Sequence, residues 1–173
     1  KFNNYDNTTS LNQTKAYITS SATVEAGRDL TVEAQDTTET VFTAGAICGA
    51  GVVGVGVTVG VLLVNNTAQA YIGDGAVVNA TRRTLVRART SENIGSGALS
   101  AGGAGITSVQ GVVMAQVTKS KTHALIGDNA SVNQTDNSSS SQDVAVLAES
   151  DTDLVSVSGS GGGALVGVGI TGD

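Results

Sequence analysis

The sequence predicts an all-β chain wound as a right-handed parallel β-helix, a β-solenoid built from repeats of about 54 residues. Three observations carry this expectation. Ala16-Tyr17-Ile18, Ala70-Tyr71-Ile72 and Ala124-Leu125-Ile126 recur at a spacing of 54 in the numbering. Apolar residues alternate with small or polar ones at the period of two that a strand imposes, and no stretch keeps the 3.6 period of a helix. The composition, with 23 Gly, no Pro and only 3% aromatics, favours turns and strand ladders and leaves Val, Ala, Ile and Leu to fill a thin interior.

Each copy opens with the Ala-Tyr-Ile strand. The segments ITSSATVEA, IGDGAVVNA and IGDNASVNQ follow in register, so that Ala22, Ala76 and Ala130 correspond, as do Val24, Val78 and Val132. The next strand reads DLTVEAQ, TLVRART and VAVLAES, aligning Val32/Ala34 with Val86/Ala88 and Val146/Ala148. A polar insertion around DNSSSSQD displaces the third pair. Because both flanking strands survive it, the insertion is expected in a loop on the outside.

A Gly- and Ala-rich uncharged stretch completes each copy. The first includes GAGVVGVGVTVGVLLVNN, Gly49 to Asn66, long enough to cross a bilayer as a helix and carrying G-x-x-x-G spacings at Gly45/Gly49 and Gly56/Gly60. Its chemistry argues for a strand instead: Val53, Val55, Val57, Val59 and Val61 alternate with Gly54, Gly56, Thr58 and Gly60. The second copy, GSGALSAGGAGITSVQGVVMAQV, holds Gln110 and Gln116, which a bilayer would reject. Both stretches are therefore expected as strand pairs without membrane insertion, and the uncharged first one is expected inside a protein core.

The copies span about residues 12–65, 66–119 and 120–173, within one solenoid segment, 1–173, whose repeats are partners to one another. Lys1 opens a polar run with neither Met nor an apolar leader, which reads as a piece of a longer chain. Strands of four to seven residues would make 54 residues too many for one coil. The unit is accordingly assigned two or three coils, about six to eight in all, stacked about 4.8 Å apart. A β-sandwich also accommodates short strands and turns, but it does not explain the period.

A net charge of −6 argues against nucleic acid as a partner and against an anionic membrane surface. His123 is the only histidine; its counterparts are Gln69 and Lys15, which makes it an outward strand position and not a ligand. Asp74 and Asp128 recur before Gly75 and Asn129, where a turn with positive φ, closed by the Asp side chain on its own backbone, explains them better than calcium. Arg82, Arg83, Arg87 and Arg89 form the one basic cluster, a solvated face or a small patch for an acidic glycan. Cys48, the single cysteine, reads as a buried filler. Asn7, Asn12, Asn65, Asn79, Asn129, Asn133 and Asn137 begin Asn-x-Ser/Thr sequons, candidate sites for glycosylation. Asp29 and Glu33 are close enough in sequence to be considered as a carboxylate pair acting on polysaccharide, although Arg83 and Arg87 replace them in the second copy. No catalytic set, cofactor site or metal site is expected, and Thr is too scattered for ice binding.

The recurring T-x-A-Y-I-G-D-G-A-x-V-N-A, then L-x-V-x-A, then a Gly/Ala-rich stretch ending at Val64-Asn65-Asn66-Thr67, resembles the repeats of large secreted filamentous adhesins of bacteria, of the filamentous hemagglutinin and leukotoxin-like type. The resemblance covers the chain from about Asn12 onward. It implies a right-handed parallel β-helix, two-partner secretion to the cell surface or the extracellular space, and a stalk that mediates or supports attachment to host-cell or surface glycans and proteins. A secreted toxin module is the alternative it implies. A polysaccharide-acting β-helix enzyme is a third reading.

Overall fold

The structure, a computed structural model, describes residues 12–134 and 142–172. Strands account for 83% of the described residues, with no helix among them, and the fold is the expected right-handed parallel β-solenoid. Ten strands follow in chain order: β1 (Asn12–Ile18), β2 (Thr23–Ala26), β3 (Asp29–Ala50), β4 (Val53–Ile72), β5 (Val77–Ala80), β6 (Arg83–Ala104), β7 (Thr107–Ile126), β8 (Ser131–Val132), β9 (Asp143–Gly163) and β10 (Val166–Gly172). They form three sheets, ordered β1-β4-β7-β10, β2-β5-β8 and β3-β6-β9.

The register reproduces the repeat. Ala16, Tyr17 and Ile18 lie beside Ala70, Tyr71 and Ile72, and Val24 pairs with Val78, which pairs with Val132. Strands 54 residues apart are thus hydrogen-bonded neighbours, so each repeat closes a single coil. This corrects the two or three coils expected from sequence. The reason is strand length: the Gly-rich stretches do not break into short strands but run on as β3, β4, β6, β7 and β9, each 20 to 22 residues long. The insertion lengthens the third repeat, and β10 pairs Val166 with Thr107, a spacing of 59. Most of the insertion lies outside the described residues. At its exit the Asp143 N–H donates to the Arg82 carbonyl at 2.9 Å, which restores the stack.

The turn between β1 and β2 shows why its residues recur. Ser21, Gly75 and Asn129 occupy the same place in successive repeats, and all have positive φ, 59°, 65° and 55°. Glycine and asparagine tolerate that conformation best. Two positions earlier in the turn the constraint is spatial. A Cβ on Gly73 would stand 2.5 Å from the Ser20 backbone N, and one on Gly127 would be 2.8 Å from the Asp74 N. Successive turns stack backbone on backbone there, with Gly73 N donating to Ile18 O and Gly127 N to Ile72 O, both at 2.8 Å.

Residue contacts group the chain into two compact units, each taking one segment from every repeat. Among the described residues, the first comprises 12–38, Asn65–Ser91, 119–134 and 142–151. Three sheets enclose its core of Val32, Ala34, Ala70, Ile72, Val78, Val86 and Ala88, against which Ile18, Val24, Ile126 and Val132 pack. Small and β-branched side chains suffice because the space between the sheets is narrow. Val146 and Ala148 hold the register of Val86 and Ala88, yet both are exposed, because β9 is the edge strand of its sheet.

Among the described residues, the second unit comprises Glu39–Val64, Glu92–Thr118 and 152–172. Here two sheets face each other directly, and the polarity departs from expectation. On β4 the buried residues are Gly54, Gly56, Thr58 and Gly60, while the intervening valines, Val53 to Val61, are 58 to 65% exposed. The stretch is a strand, as its period requires, but the expectation that it lies inside a protein core is overturned for its valine face. The gap between the sheets explains this. Gln110 and Met114 of the adjacent strand β7 and Phe42 of the facing strand β3 already occupy it, and glycine stands next to each. A Cβ on Gly56 would collide with the Gln110 side-chain oxygen, and one on Gly60 would lie 2.6 Å from Met114 Sδ and 3.0 Å from Phe42 Cε1. With the inward places taken by glycine and small polar residues, alternation sends the valines outward.

Candidate interaction surface

In the first unit the outer face of β3, β6 and β9 carries charge. Val86 and Ala88 point inward, so Arg87 and Arg89 point out. Arg87 reaches carboxylates on both neighbouring strands, Glu149 Oε2 at 2.7 Å and Glu33 Oε1 at 3.6 Å. Arg89 lies 4.0 Å from Glu149, and Arg82 pairs with Asp29 at 3.5 Å. The hydrogen bond from Arg87 and the nearby positive charges hold the Glu149 carboxyl below its usual range against the opposing effect of desolvation. The same hydrogen bond and the Glu149 charge raise Arg87.

This arrangement accounts for most of the basic cluster: Arg82, Arg87 and Arg89 bind carboxylates of adjacent repeats. Asp29 and Glu33 are the acidic halves of those pairs. Four residues apart on one strand, they are separated by roughly 13 Å at 3.3 Å per residue, wider than the carboxylate pairs that cleave glycosides. Among the described residues no group of three or more His, Cys, Asp or Glu could hold a metal ion.

The remaining candidates are dispersed. His123 is half-buried on β7. The Asp74 carboxylate accepts a hydrogen bond from the Asp128 N–H of the next repeat at 3.0 Å. It ties two turns together, where the sequence suggested closure on its own backbone. Cys48 is half-buried on the inward face of β3, near Gly56. Among the sequons, Asn65 and Asn129 are exposed, and so is Asn12, which donates to the Asn66 side chain at 3.0 Å. Asn79 is buried, and Asn133 accepts hydrogen bonds from the Ala80 N–H at 2.8 Å and the Thr84 hydroxyl at 3.2 Å. Asn7 and Asn137 lie outside the described residues.

Two polar clusters escaped the sequence reading. In the first unit buried Asp36 accepts from the hydroxyls of Thr14 at 3.2 Å and Thr38 at 3.3 Å, and the Asn66 amide donates to Thr38 at 2.9 Å. The recurrence of Asn at 12 and 66 was the available signal. In the second unit fully buried Gln110 accepts from Ser100 at 2.9 Å and donates to Ser108 at 3.2 Å. Both clusters are internal and mutually satisfied, which makes them structural cross-links between strands.

Two outward features remain. Tyr17 and Tyr71 stack across adjacent strands with ring centroids 5.1 Å apart. In the second unit, β4 presents Val53, Val55, Val57, Val59, Val61 and Leu63 in one uncharged outward row. No protein family, curated protein or solved structure matches the chain.

Proposed function

We propose that the chain is a stalk segment of a secreted bacterial surface filament, a scaffold that supports or mediates attachment to cells or surfaces. The observation that carries this reading is the register, in which residues 54 apart are direct neighbours in the sheets. A repeat that forms one complete coil can be added end on end without new design, which is how solenoids reach length. The resemblance of the repeat to filamentous adhesins supplies the bacterial surface and the secretion route. The outer faces supply the contact area, charged and tyrosine-bearing in the first unit, aliphatic in the second.

Beads coated with the chain test this reading. Attachment to epithelial cells above that of albumin-coated beads, with no sugar released from a polysaccharide panel, is the expected result. Released sugar, abolished by replacing Asp29 or Glu33, would overturn it in favour of an enzyme. The outward valine row favours one further reading, a leukotoxin-like module that acts on membranes. Haemolysis or dye release from host cells separates that module from a stalk.

A further inference from the structure

The outer face of the second unit is the least expected surface of the molecule. Three adjacent strands contribute to it. Beside the β4 row, β7 presents Val113 and Val117, and β10 presents Val166, Val168 and Ile170. These eleven side chains are 45 to 72% exposed. No charged residue occurs in 53–64, 107–118 or 166–172. Their exposed area is on the order of 1,000 Å², above the few hundred Å² usual for a contiguous apolar patch on a monomer and similar to the roughly 800 Å² each partner gives to a stable interface.

Additional repeats of the same solenoid would not cover it. A further coil bonds to the edge strands, along the direction of the backbone hydrogen bonds, whereas this face is perpendicular to that direction. A charged partner finds nothing here to pair with. A lipid surface would be expected to meet Trp, Tyr, Lys or Arg at the margins of the patch, and these strands carry none apart from Lys119, Lys121 and Tyr71 in the distal parts of β7 and β4.

What the face does match is itself. Its rows are β-branched side chains, Leu63 apart, at the regular pitch of a sheet, about 6.6 Å along a strand and about 4.8 Å between strands, and two such ridged surfaces interdigitate when their sheets lie about 10 Å apart. We propose that a second copy of the chain packs on this face, valine rows against valine rows, giving an isologous dimer joined through the outer surfaces of β4, β7 and β10. The pairing follows from the fold alone and holds whether or not the chain attaches to cells.

Sedimentation velocity of the full chain over a hundredfold range of concentration is the test. The wild type should pass from monomer to dimer, with little effect of sodium chloride. Val57→Lys combined with Val113→Lys should weaken the dimer at least about tenfold, since each charge would be buried without a partner. Val41→Lys, on the other outer sheet of the same unit, should leave the dimer unchanged. If the double lysine variant loses its β circular dichroism, Val57→Thr with Val113→Thr, which preserves shape, decides instead and should also weaken pairing. A wild type that stays monomeric overturns the proposal, and its flotation with phosphatidylcholine vesicles would assign the face to lipid. Equal weakening by Val41→Lys, or a dimer unaffected by changes at Val57 and Val113, overturns it as well.

Discussion

Val86 and Arg87 are chain neighbours on β6 that face opposite ways, and they separate what folding requires from what the surface tolerates. Val86 is fully buried among Val32, Val78 and Ala88. Val86→Asp should place an unpaired charge there and destabilise by several kcal/mol, much of the margin of a small domain. Arg87→Ala removes only outward ion pairs and should move the midpoint of chemical denaturation far less. If Arg87→Ala proved the more damaging, the strand would face the other way. Glu149 adds a dependence on pH. Its folded pKa lies below its unfolded one, so the stability it contributes is present above the ordinary carboxylate range and fades as pH falls through the folded value. The difference in denaturation midpoint between wild type and Glu149→Gln should therefore shrink between pH 7 and pH 3; a difference that grew on acidification would contradict the pairing. Gln110 supplies a third test. Gly56→Ala should cost about 1–3 kcal/mol by crowding its amide. Gln110→Ala in that background should cost less than it does alone, a coupling measurable in a double-mutant cycle.

Glycine has two uses among the elements, and the sequence does not label them. At Gly73 and Gly75 it is punctuation: the first lets one turn stack on another, and the second adopts positive φ. Because Ser21 and Asn129 take the same φ, Gly75→Asn should be nearly neutral in thermal denaturation. Gly75→Val should cost about 1–2 kcal/mol. Equal losses for the two would show that space, not backbone conformation, fixes that residue. At Gly54, Gly56 and Gly60 glycine sits inside a strand and yields its side-chain volume to neighbours on the adjacent strand, Gln110 and Met114 of β7, or on the facing sheet, Phe42 of β3 and Ala104 of β6. A glycine of the first kind ends a strand, whereas one of the second kind lets it continue. Taking both as breakers gave strands of four to seven residues in place of 20 to 22, and the error in coil number followed. The polarity of the second unit was hidden for a related reason. Period two states that residues alternate between faces, but which face lies inward depends on what the adjacent strand and the facing sheet put into the gap. Gln110, Met114 and Phe42 are remote in sequence from the valines they displace.

At the level of the whole chain the repeat was the most legible feature. Register between AYI strands, the core at Val32, Ala34, Val86 and Ala88, and the displacement of the third copy could all be read from spacing, because a parallel solenoid turns sequence period directly into spatial neighbours. The internal polar clusters were less legible, since their partners come from different strands and only Asn12 and Asn66 repeat. The stalk proposal depends on one geometric claim, that a repeat is one coil. The most direct test is a disulfide between Thr23→Cys and Val77→Cys in a Cys48→Ala background, because Thr23 and Val77 are paired neighbours on β2 and β5. One coil per repeat places their Cα atoms about 4.8 Å apart, within the range a disulfide spans, so oxidation should form an intramolecular bond in the folded protein without loss of β structure. With two coils per repeat the separation would be about 9.6 Å. The thiols would then stay free under native conditions, and that result would contradict the account.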